Sequence, residues 1–421
     1  MQIYEVFENY LLMHKNVPVA EVGINGVGHI ERIYKIFNHE HFPICCPKED
    51  GKVPLNDETL DGINEWWGQS RAIPKDRYGG ERVFGPLGVI KESTELLLLN
   101  RGQSMVDHYW VRSVNQNMKW EDITFYRRQN VDKKIGDFLV YEGVSLSGGG
   151  GLSDPAFALN GVQPKRWILS PNHKPILEKE STPIFSDQEP FNEKLGAMAA
   201  NALGNDAVNY DVKIRNNRAY SYCESFIDEN TEFITAKSIM ATKKRQPGVS
   251  FYEHYLDCCK GLGIPEKMAA TAFAKNIVTD SVIANEDRHH GNFGFRRCAD
   301  TLKVLDSPVF DFGNSFWADK DFDMKTKTFL ETDDSGTQYP AVPNMRPHLF
   351  FETEEDQFAA IADVAKGKGF TDMSKLDGFE AIVEKELMQN PKLEEKEKKA
   401  RVDATVAGIR ERKKITEKLL Q

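Results

Sequence analysis

The sequence lacks the features that mark membrane and secreted proteins. No run of 18 apolar residues occurs in its 421 residues, which argues against a membrane-spanning helix. The first residues, MQIYEVFENYLL, carry Glu5 and Glu8 and have no basic start, so a secretory signal is not expected. We therefore predict a cytoplasmic protein that does not act at a membrane.

Cysteine is scarce, and its spacing fits neither zinc nor disulfides. The six cysteines are Cys45, Cys46, Cys223, Cys258, Cys259 and Cys298. They form no C-x-x-C pair, and adjacent cysteines rarely bond to each other, so we predict free thiols in a reducing compartment. The Walker A pattern G-x-x-x-x-G-K-[ST] and the zinc motif H-E-x-x-H are also absent.

Basic residues are outnumbered by acidic ones. The 54 Lys and Arg against 64 Asp and Glu give a net charge of −10. Such an acidic chain is a poor candidate for non-specific binding of a phosphate backbone, so no direct nucleic-acid contact is expected. The length suggests about two to three domains with a large buried core.

The first part of the chain reads as a mixed α/β unit. PVAEVGI at 18–24 alternates like a strand, and Trp66 and Trp67 are predicted to be core or interface anchors. A break follows at 144–167, where four consecutive glycines cannot form a regular element. This break is either a flexible linker or a loop that closes on a phosphate with its backbone N–H groups.

Two hairpins and a helix follow the break. KRWILS and KPILEK flank the turn PNH, and a second hairpin turns at Asn216-Asn217. Between them, residues 189–204 have helical apolar spacing, with Gly204 as a C-cap.

The rest of the chain is mainly helical. Residues 267–285 are apolar on most sides, like a buried helix. Asn390-Pro391 is expected to cap and start a long terminal helix. Its inner face is expected to carry Val402, Val406, Ile409, Thr416 and Leu420. We predict three domains, with the bounds 1–143, 144–230 and 231–421.

The segment ANEDRHHGNFGF at 284–295 contains candidate catalytic and metal-binding residues. Asp287 and Asn292 are five residues apart, which is the Asp-to-Asn separation of the kinase catalytic loop. Asp311 follows later, directly before Phe312-Gly313. This spacing would let Asp287 orient an attacking hydroxyl while the oxygens of Asn292 and Asp311 hold magnesium.

An earlier pair supports the same chemistry. Lys179 ends the KPILEK strand and Glu193 lies in the next helix, as in the Lys–Glu pair that holds ATP phosphates in protein kinases. Each residue alone has an ordinary interpretation as a surface charge, but the set in this order predicts phosphotransfer with ATP and magnesium. His289 is read as a structural or phosphate-facing part of the loop, and His290 as exposed.

Several motifs resemble those of the HipA-like serine/threonine kinases, the toxin kinases of bacterial toxin–antitoxin systems. NEDRHHGNF resembles their N-x-D-x-H-x-x-N-F catalytic loop, and SPVFDFG resembles their metal-binding segment. NGVQPK at 160–165 resembles the G-x-Q-x-K element of their nucleotide loop, and CESFI at 223–227 is similar to their hinge, whose backbone meets adenine. The similarity covers residues 144–315 best.

The resemblance implies an α+β, two-lobed kinase-like fold with a β-rich N-lobe, a helical C-lobe and an additional N-terminal α/β domain. It makes Asp287 the catalytic base and His289 a second catalytic residue, and it makes Asn292 and Asp311 the magnesium ligands. The residues that it assigns to ATP are Gly161, Gln163, Lys165, Lys179, Glu193, Glu224 and Phe226.

The same resemblance implies a protein substrate with Ser or Thr and a DNA-binding antitoxin partner. The family's regulatory serine corresponds here to Ala158, so autophosphorylation is predicted instead at Ser145, Ser147 or Ser153. The DFG and DRHHGN segments also resemble phosphoinositide kinases, which leaves a lipid kinase as one alternative. A non-catalytic ATP-binding scaffold is the other, although the complete Lys, Glu, Asp, Asn and Asp set argues against it.

Overall fold

The computed structural model describes residues 8–71, 97–127, 137, 140 and 163–421. Its internal contacts divide the chain into two compact units. The first unit comprises Met1–Glu178, Ile227–Lys244 and Phe295–Leu305, and the second comprises Lys179–Phe226, Arg245–Gly294 and Asp306–Gln421. The domain bounds expected from the sequence stay a prediction.

Strands occur in both units and are short. In chain order they are β1 (Glu8–His14), β2 (Val17–Ile24), β3 (Ile30–Ile36), β4 (Tyr109–Ser113), β5 (Lys165–Leu169), β6 (Pro175–Glu180), β7 (Tyr210–Arg215), β8 (Arg218–Glu224), β9 (Thr231–Thr235), β10 (Gly294–Cys298), β11 (Val304–Leu305), β12 (Asp321–Asp323), β13 (Thr328–Thr332) and β14 (Gln338–Pro340).

Most of the helices in the described residues lie in the second unit. In chain order the α-helices are α1 (Asp57–Arg71), α2 (Glu189–Ala202), α3 (Ala236–Met240), α4 (Phe251–Gly261), α5 (Glu266–Ile283), α6 (Glu354–Ala365), α7 (Phe379–Leu387) and α8 (Glu395–Leu419). Across the described ranges, none of the helices has both the length and the apolar character that crossing a bilayer requires.

The first unit contains an antiparallel sheet with the strand order β3-β2-β1-β4. The strand predicted at 18–24 is confirmed as β2. Helix α1 packs on this sheet through Trp67, which is fully buried and donates from Nε1 to the Gly28 carbonyl, while Trp66 packs against the same core. Both tryptophans therefore act as core anchors, as predicted.

The first unit also holds a buried charge cluster. Glu232 on β9 is fully buried and accepts a hydrogen bond from Arg297 Nε at 2.6 Å. Its other oxygen lies 3.2 Å from His14 Nε2. The pKa of Glu232 is strongly lowered, because the attraction of Arg297 and His14 outweighs the opposing effect of burial. This cluster joins β1, β9 and β10 without an unpaired buried charge.

Both predicted hairpins are present. Strands β5 and β6 are neighbours in one sheet, and the turn between them closes with a bond from Ser170 N to Lys174 O. Strands β7 and β8 pair antiparallel around Asn216 and Asn217, whose φ angles of 51° and 59° suit a tight hairpin turn. All six cysteines are free thiols, as expected.

The helices of the second unit confirm most of what the apolar spacing of the sequence predicts. Helix α2 ends at Ala202, and Gly204 follows with φ +85°, the left-handed conformation that glycine supplies after a helix. Helix α5 is buried along most of its length and packs against α2, α4, α6 and α8. It is the central helix of this unit.

The terminal helix α8 starts later than predicted. It begins at Glu395, and the cap expected at Asn390-Pro391 is wrong. Asn390 instead donates from Nδ2 to the Ser186 carbonyl, 204 residues earlier in the chain. The predicted inner face is buried at Val402, Ile409 and Thr416. Val406 is only half-buried, and Leu420 is half-buried and lies just past the end of the helix.

Candidate active site

Lys179 on β6 stands between two carboxylates that are distant in sequence. Its Nζ donates to Glu193 Oε1 at 2.6 Å and to Asp311 Oδ1 at 2.8 Å. Lys179 is 7% exposed and Glu193 on α2 is fully buried. The predicted Lys–Glu pair is therefore formed, and the predicted metal ligand Asp311 lies at the same amine.

This arrangement keeps the lysine charged. Burial works against a positive charge, but the carboxylates of Asp311 and Glu193 outweigh it and raise the pKa of Lys179 well above its ordinary value. A buried cation at this place is suited to meet anionic groups such as phosphates.

Helix α2 binds the segment that follows Asp311 through its polar face. Glu193 Oε2 accepts a hydrogen bond from Phe312 N at 2.8 Å. The preceding residue on the helix, Asn192, donates from Nδ2 to the Gly313 carbonyl, also at 2.8 Å. Glu193 thus bonds Lys179 with one oxygen and the chain beside Asp311 with the other.

The backbone of Asp311 is held in an uncommon conformation. Its φ is +63°, the left-handed region that costs a non-glycine residue free energy. Tyr210 on β7 accepts from the Asp311 amide through its hydroxyl at 3.2 Å, and Asn285 donates to the Asp311 carbonyl at 3.5 Å. A side chain from β7 and one from the loop after α5 therefore hold the two backbone groups of Asp311.

Asp287 lies on the loop that follows α5 and faces outward. Ala284 turns the chain with φ 49° directly after the helix, and the Asp287 side chain is exposed. Within the ranges the structure describes, its carboxylate makes no hydrogen bond or ion pair. Surrounding protein atoms displace water and raise the pKa of Asp287, while His289 opposes this rise and Asp311 adds to it.

Asn292 is buried on the same loop. Its Nδ2 donates to the Asp287 carbonyl at 3.0 Å, which fixes the amide and leaves Oδ1 as its acceptor. The five-residue spacing predicted for Asp287 and Asn292 thus closes the loop through a direct bond between the two residues.

Arg288 is a site residue that the sequence pattern does not single out. It is 3% exposed and donates from Nε and Nη2 to the two carboxylate oxygens of Asp280 on α5, each at 2.9 Å. Its Nη1 donates to the carbonyl of Asn292 at 2.9 Å and also to that of Phe310. One guanidinium therefore ties the Asp287 loop to the Asp311 segment.

A signal for Arg288 does exist in the sequence. Asp280 sits near the end of a helix that is otherwise largely apolar, and a buried carboxylate needs a cationic partner. The nearest arginine along the chain is Arg288.

The two histidines of the loop differ from each other. His289 is exposed, and its Nδ1 accepts from the Gly291 amide at 3.0 Å, which agrees with a structural part in the loop. Its contact with phosphate stays a prediction. His290 is half-buried, so its predicted exposure is wrong, because the ring of Phe350 packs 5.1 Å from it.

The candidate adenine hinge adjoins the metal-binding segment. The ring of Phe226 lies 5.1 Å from that of Phe310, the residue before Asp311, and Glu224 is exposed at the end of β8. Burial raises the pKa of Cys223 to about 12. Lys179 opposes this rise, and the carboxylates of Glu193 and Asp311 add to it. Contact of Glu224 and Phe226 with adenine stays a prediction.

The predicted nucleotide loop is described only at its end. Gln163 precedes β5 and Lys165 begins it, both in the first unit, and their roles toward ATP stay predictions. Gly161 lies outside the described residues, as do Ala158 and the serines Ser145, Ser147 and Ser153.

Glu189 is a second residue that the sequence pattern does not single out. It is 7% exposed in the first turn of α2 and accepts bonds from Thr182 N at 2.5 Å and from Ser181 Oγ at 3.0 Å. Burial raises the pKa of this carboxyl to about 7 despite these bonds. It therefore titrates near neutral pH.

The donor types at the site suit magnesium. Asn292 offers an amide oxygen and Asp311 a carboxylate, the hard oxygen ligands that magnesium takes together with substrate phosphates. In the described part of the chain, no group of three or more His, Cys, Asp or Glu could hold a metal ion by itself. These residues therefore suit a magnesium ion that takes some of its ligands from the protein and the others from the phosphates of a nucleotide.

Comparison with known proteins defines the fold. No protein-family model and no curated protein matches the sequence. Among solved structures, HipA of the Shewanella oneidensis MR-1 toxin–antitoxin system, in a complex with HipB and operator DNA, is 14% identical, with a TM-score of 0.53 and 99% of each chain covered. The Helicobacter pylori proinflammatory kinase CtkA is 17% identical, with a TM-score of 0.42 over 60% of this chain and 93% of that one.

The match to HipA extends over almost the whole chain. The chain therefore has a two-lobed, kinase-like α+β fold. More particularly, this is the HipA fold, and the fold class predicted from the sequence motifs is confirmed.

Proposed function

We propose that this protein is an ATP-dependent serine/threonine protein kinase that uses magnesium. One observation carries the proposal: Lys179 holds Glu193 and Asp311 together, while Asp287 faces outward from a loop bound to the Asp311 segment. These groups are the ones that transfer of a γ-phosphoryl group needs.

The residues divide the work by position. Lys179, oriented by Glu193, would bind the phosphates of ATP. Asn292 and Asp311 would hold magnesium, which would offset the negative charge of the phosphates. Phe226, beside Phe310, would contact the adenine end of the nucleotide.

Asp287 would act on the acceptor. A Ser or Thr hydroxyl gives its proton to the Asp287 carboxylate as its oxygen bonds to the γ-phosphorus. The bond from that phosphorus to the β,γ-bridging oxygen breaks, and ADP leaves with the electron pair. The raised pKa of Asp287 favours acceptance of the proton.

The fold also supports a proposal about partners. The matched HipA structure contains HipB and operator DNA, so we propose a DNA-binding antitoxin-like partner for this chain. The site of action would be the cytoplasm.

The decisive experiment compares wild type with Asp287→Asn. Both proteins are expressed in a bacterial host for phosphoproteomics, and the purified proteins are assayed for turnover and ATP affinity. General-base assistance contributes on the order of 10²–10⁴ in rate, so turnover should fall by that factor while ATP affinity changes little. Asp363→Asn, an exposed acid on α6, is the matched control and should behave like wild type.

Three results would contradict the proposal. A folded Asp287→Asn protein with near wild-type turnover would show that Asp287 is not the catalytic base. Transfer to phosphoinositide vesicles, with no host protein phosphorylated, would replace the protein acceptor with a lipid. If the wild type bound ATP but transferred no phosphate to any acceptor, the protein would be a non-catalytic ATP-binding scaffold.

A further inference from the structure

Lys320 is a nearly buried cation that the proposed reaction does not use. Its side chain is 7% exposed, and its Nζ donates to Glu286 Oε2 at 2.9 Å and to Asp319 Oδ2 at 3.0 Å. Glu331 on β13 lies 3.6 Å away through Oε1. Three carboxylates therefore converge on one ammonium group.

Glu286 is the residue directly before Asp287, and its side chain is 10% exposed. Besides the bond from Lys320, it accepts the backbone amide of Arg346 through Oε1 at 2.9 Å. This carboxylate is therefore fixed from two sides, by a side chain and by a backbone group.

The other neighbours of Asp287 are fixed as well. Asn285 donates from Nδ2 to Asp280 at 2.9 Å, and Arg288 binds Asp280 and two backbone carbonyls. Residues 285, 286 and 288 are all anchored, and the residue between them, Asp287, faces solvent. The direction of the Asp287 carboxylate thus depends on the anchors on both sides.

Lys320 is the central charge of its cluster. Arg346 also reaches the cluster, with Nη2 2.6 Å from Glu331, but its side chain is 68% exposed and therefore screened by water. Without Lys320, the carboxylates of Glu286, Asp319 and Glu331 would repel one another at short range with only Arg346 to offset them. Glu286 would turn toward solvent, and the peptide that joins it to Asp287 would turn with it.

We propose that Lys320 is a positioning residue, which fixes the base Asp287 by holding Glu286. The inference rests on the proposed kinase function for the role of Asp287, but the anchoring of the loop stands on the contacts alone. A displacement of a catalytic group by about 1 Å is enough to cost roughly 10²-fold in rate. The simpler alternative is that Lys320 only stabilises the fold around β13.

The test uses Lys320→Met, which removes the charge and keeps the bulk, and Lys320→Arg, which keeps the charge. Turnover is measured with ATP and dephosphorylated casein as the acceptor probe, and amide hydrogen exchange is measured across residues 284–292. We expect Lys320→Met to lose roughly 10²-fold in kcat with the KM for ATP changed by no more than about twofold. Exchange in the loop should accelerate by about tenfold or more, and Lys320→Arg should restore most of both properties.

Lys413→Met is the matched control, because Lys413 on α8 forms an ion pair with Asp377 at 2.9 Å and its side chain is 16% exposed. It should leave kcat and loop exchange unchanged. A Lys320→Met protein that melts lower but keeps wild-type kcat and loop exchange would overturn the inference in favour of the simpler alternative. If the wild type transfers no phosphate, faster loop exchange in Lys320→Met still supports the anchoring, and only the proposed kinase function fails.

Discussion

Gly196 on α2 lies against Phe312 so closely that no side chain fits between them. A Cβ atom built on Gly196 would lie 2.4 Å from the Phe312 Cβ, whereas carbon atoms in contact are about 3.5–4.0 Å apart. The helix that carries Glu193 and the segment that carries Asp311 therefore meet where only a hydrogen atom has room.

Gly196→Ala should separate these two elements. Alanine favours a helix interior by about 1 kcal/mol over glycine, so any loss must come from the clash. We expect a net loss of about 1–3 kcal/mol in the free energy of unfolding and weaker ATP binding, since Phe312 cannot move without Asp311. Urea denaturation and nucleotide titration measure the two effects.

The control for this variant is Gly408→Ala. Its Cβ would lie 2.5 Å from Trp317 and 2.8 Å from Val342, so it introduces a similar clash against other residues. It should reduce stability while the folded protein keeps its ATP affinity. Equal ATP affinity in both variants would contradict the role of the contact between Gly196 and Phe312.

Asp311→Asn should abolish the magnesium-dependent part of ATP binding. A ligand that binds only the folded state stabilises it by about 2.7 kcal/mol at 100 times its Kd, so magnesium-ATP should raise the melting temperature of the wild type. Asp311→Asn should show the same shift with and without magnesium, whereas Asp287→Asn should respond like wild type. If magnesium increased the ATP-induced shift in melting temperature of Asp311→Asn as much as it does in the wild type, Asp311 would not be a metal ligand.

Arg288→Met should destabilise the second unit strongly. It leaves the Asp280 carboxylate, which is 3% exposed, without its cation, and breaking a buried ion pair from one side costs roughly 3–5 kcal/mol. The double variant Asp280→Asn with Arg288→Met should recover part of this loss, because the uncompensated charge is gone. Chemical denaturation measures the free energy of unfolding of both variants. A double variant less stable than Arg288→Met would contradict the prediction.

Glu189 should make stability fall as pH rises. Its pKa is raised from 4.5 to about 7 in the folded protein, so the folded state binds the proton more tightly than the unfolded state. The favourable contribution of the neutral acid is complete below about pH 4.5 and is lost as pH rises from there to about 7. Relative to Glu189→Gln, the wild type should lose about 2 kcal/mol in the free energy of unfolding between pH 5 and pH 8.

Urea denaturation of both proteins at the two pH values measures this difference. Glu189→Gln is a suitable reference because it keeps the shape and an acceptor oxygen for Thr182 N but does not titrate in this range. A difference between the two proteins that stays constant from pH 5 to pH 8 would show that the buried carboxyl keeps an ordinary pKa.

Local pattern predicted much of the fold and the candidate site. The five-residue spacing of Asp287 and Asn292 and the order of Lys179, Glu193 and Asp311 follow from short motifs that each occupy one loop, strand or helix. Their convergence is present in the structure for Lys179, Glu193 and Asp311. Apolar spacing also predicted α5, since a helix buried on most sides needs few polar positions.

The remaining features depend on partners that the sequence does not place together. Lys320 resembles a surface lysine until Glu286 and Glu331 are known to meet it, and His290 is covered by Phe350, 60 residues later. Asn390 is a good cap by type, but it bonds Ser186 instead. Charged and capping residues have several possible partners, and tertiary packing decides which one they take.

The bond between Lys179 and Asp311 has a consequence for the order in which ligands bind. A metal ion that coordinates Asp311 must compete with an ammonium group already 2.8 Å from the carboxylate. Phosphates that draw Lys179 away would remove this competition, so nucleotide and magnesium would each raise the affinity for the other by the same factor. Divalent cations alone would then bind weakly, and the site would respond to the metal–nucleotide complex as a unit.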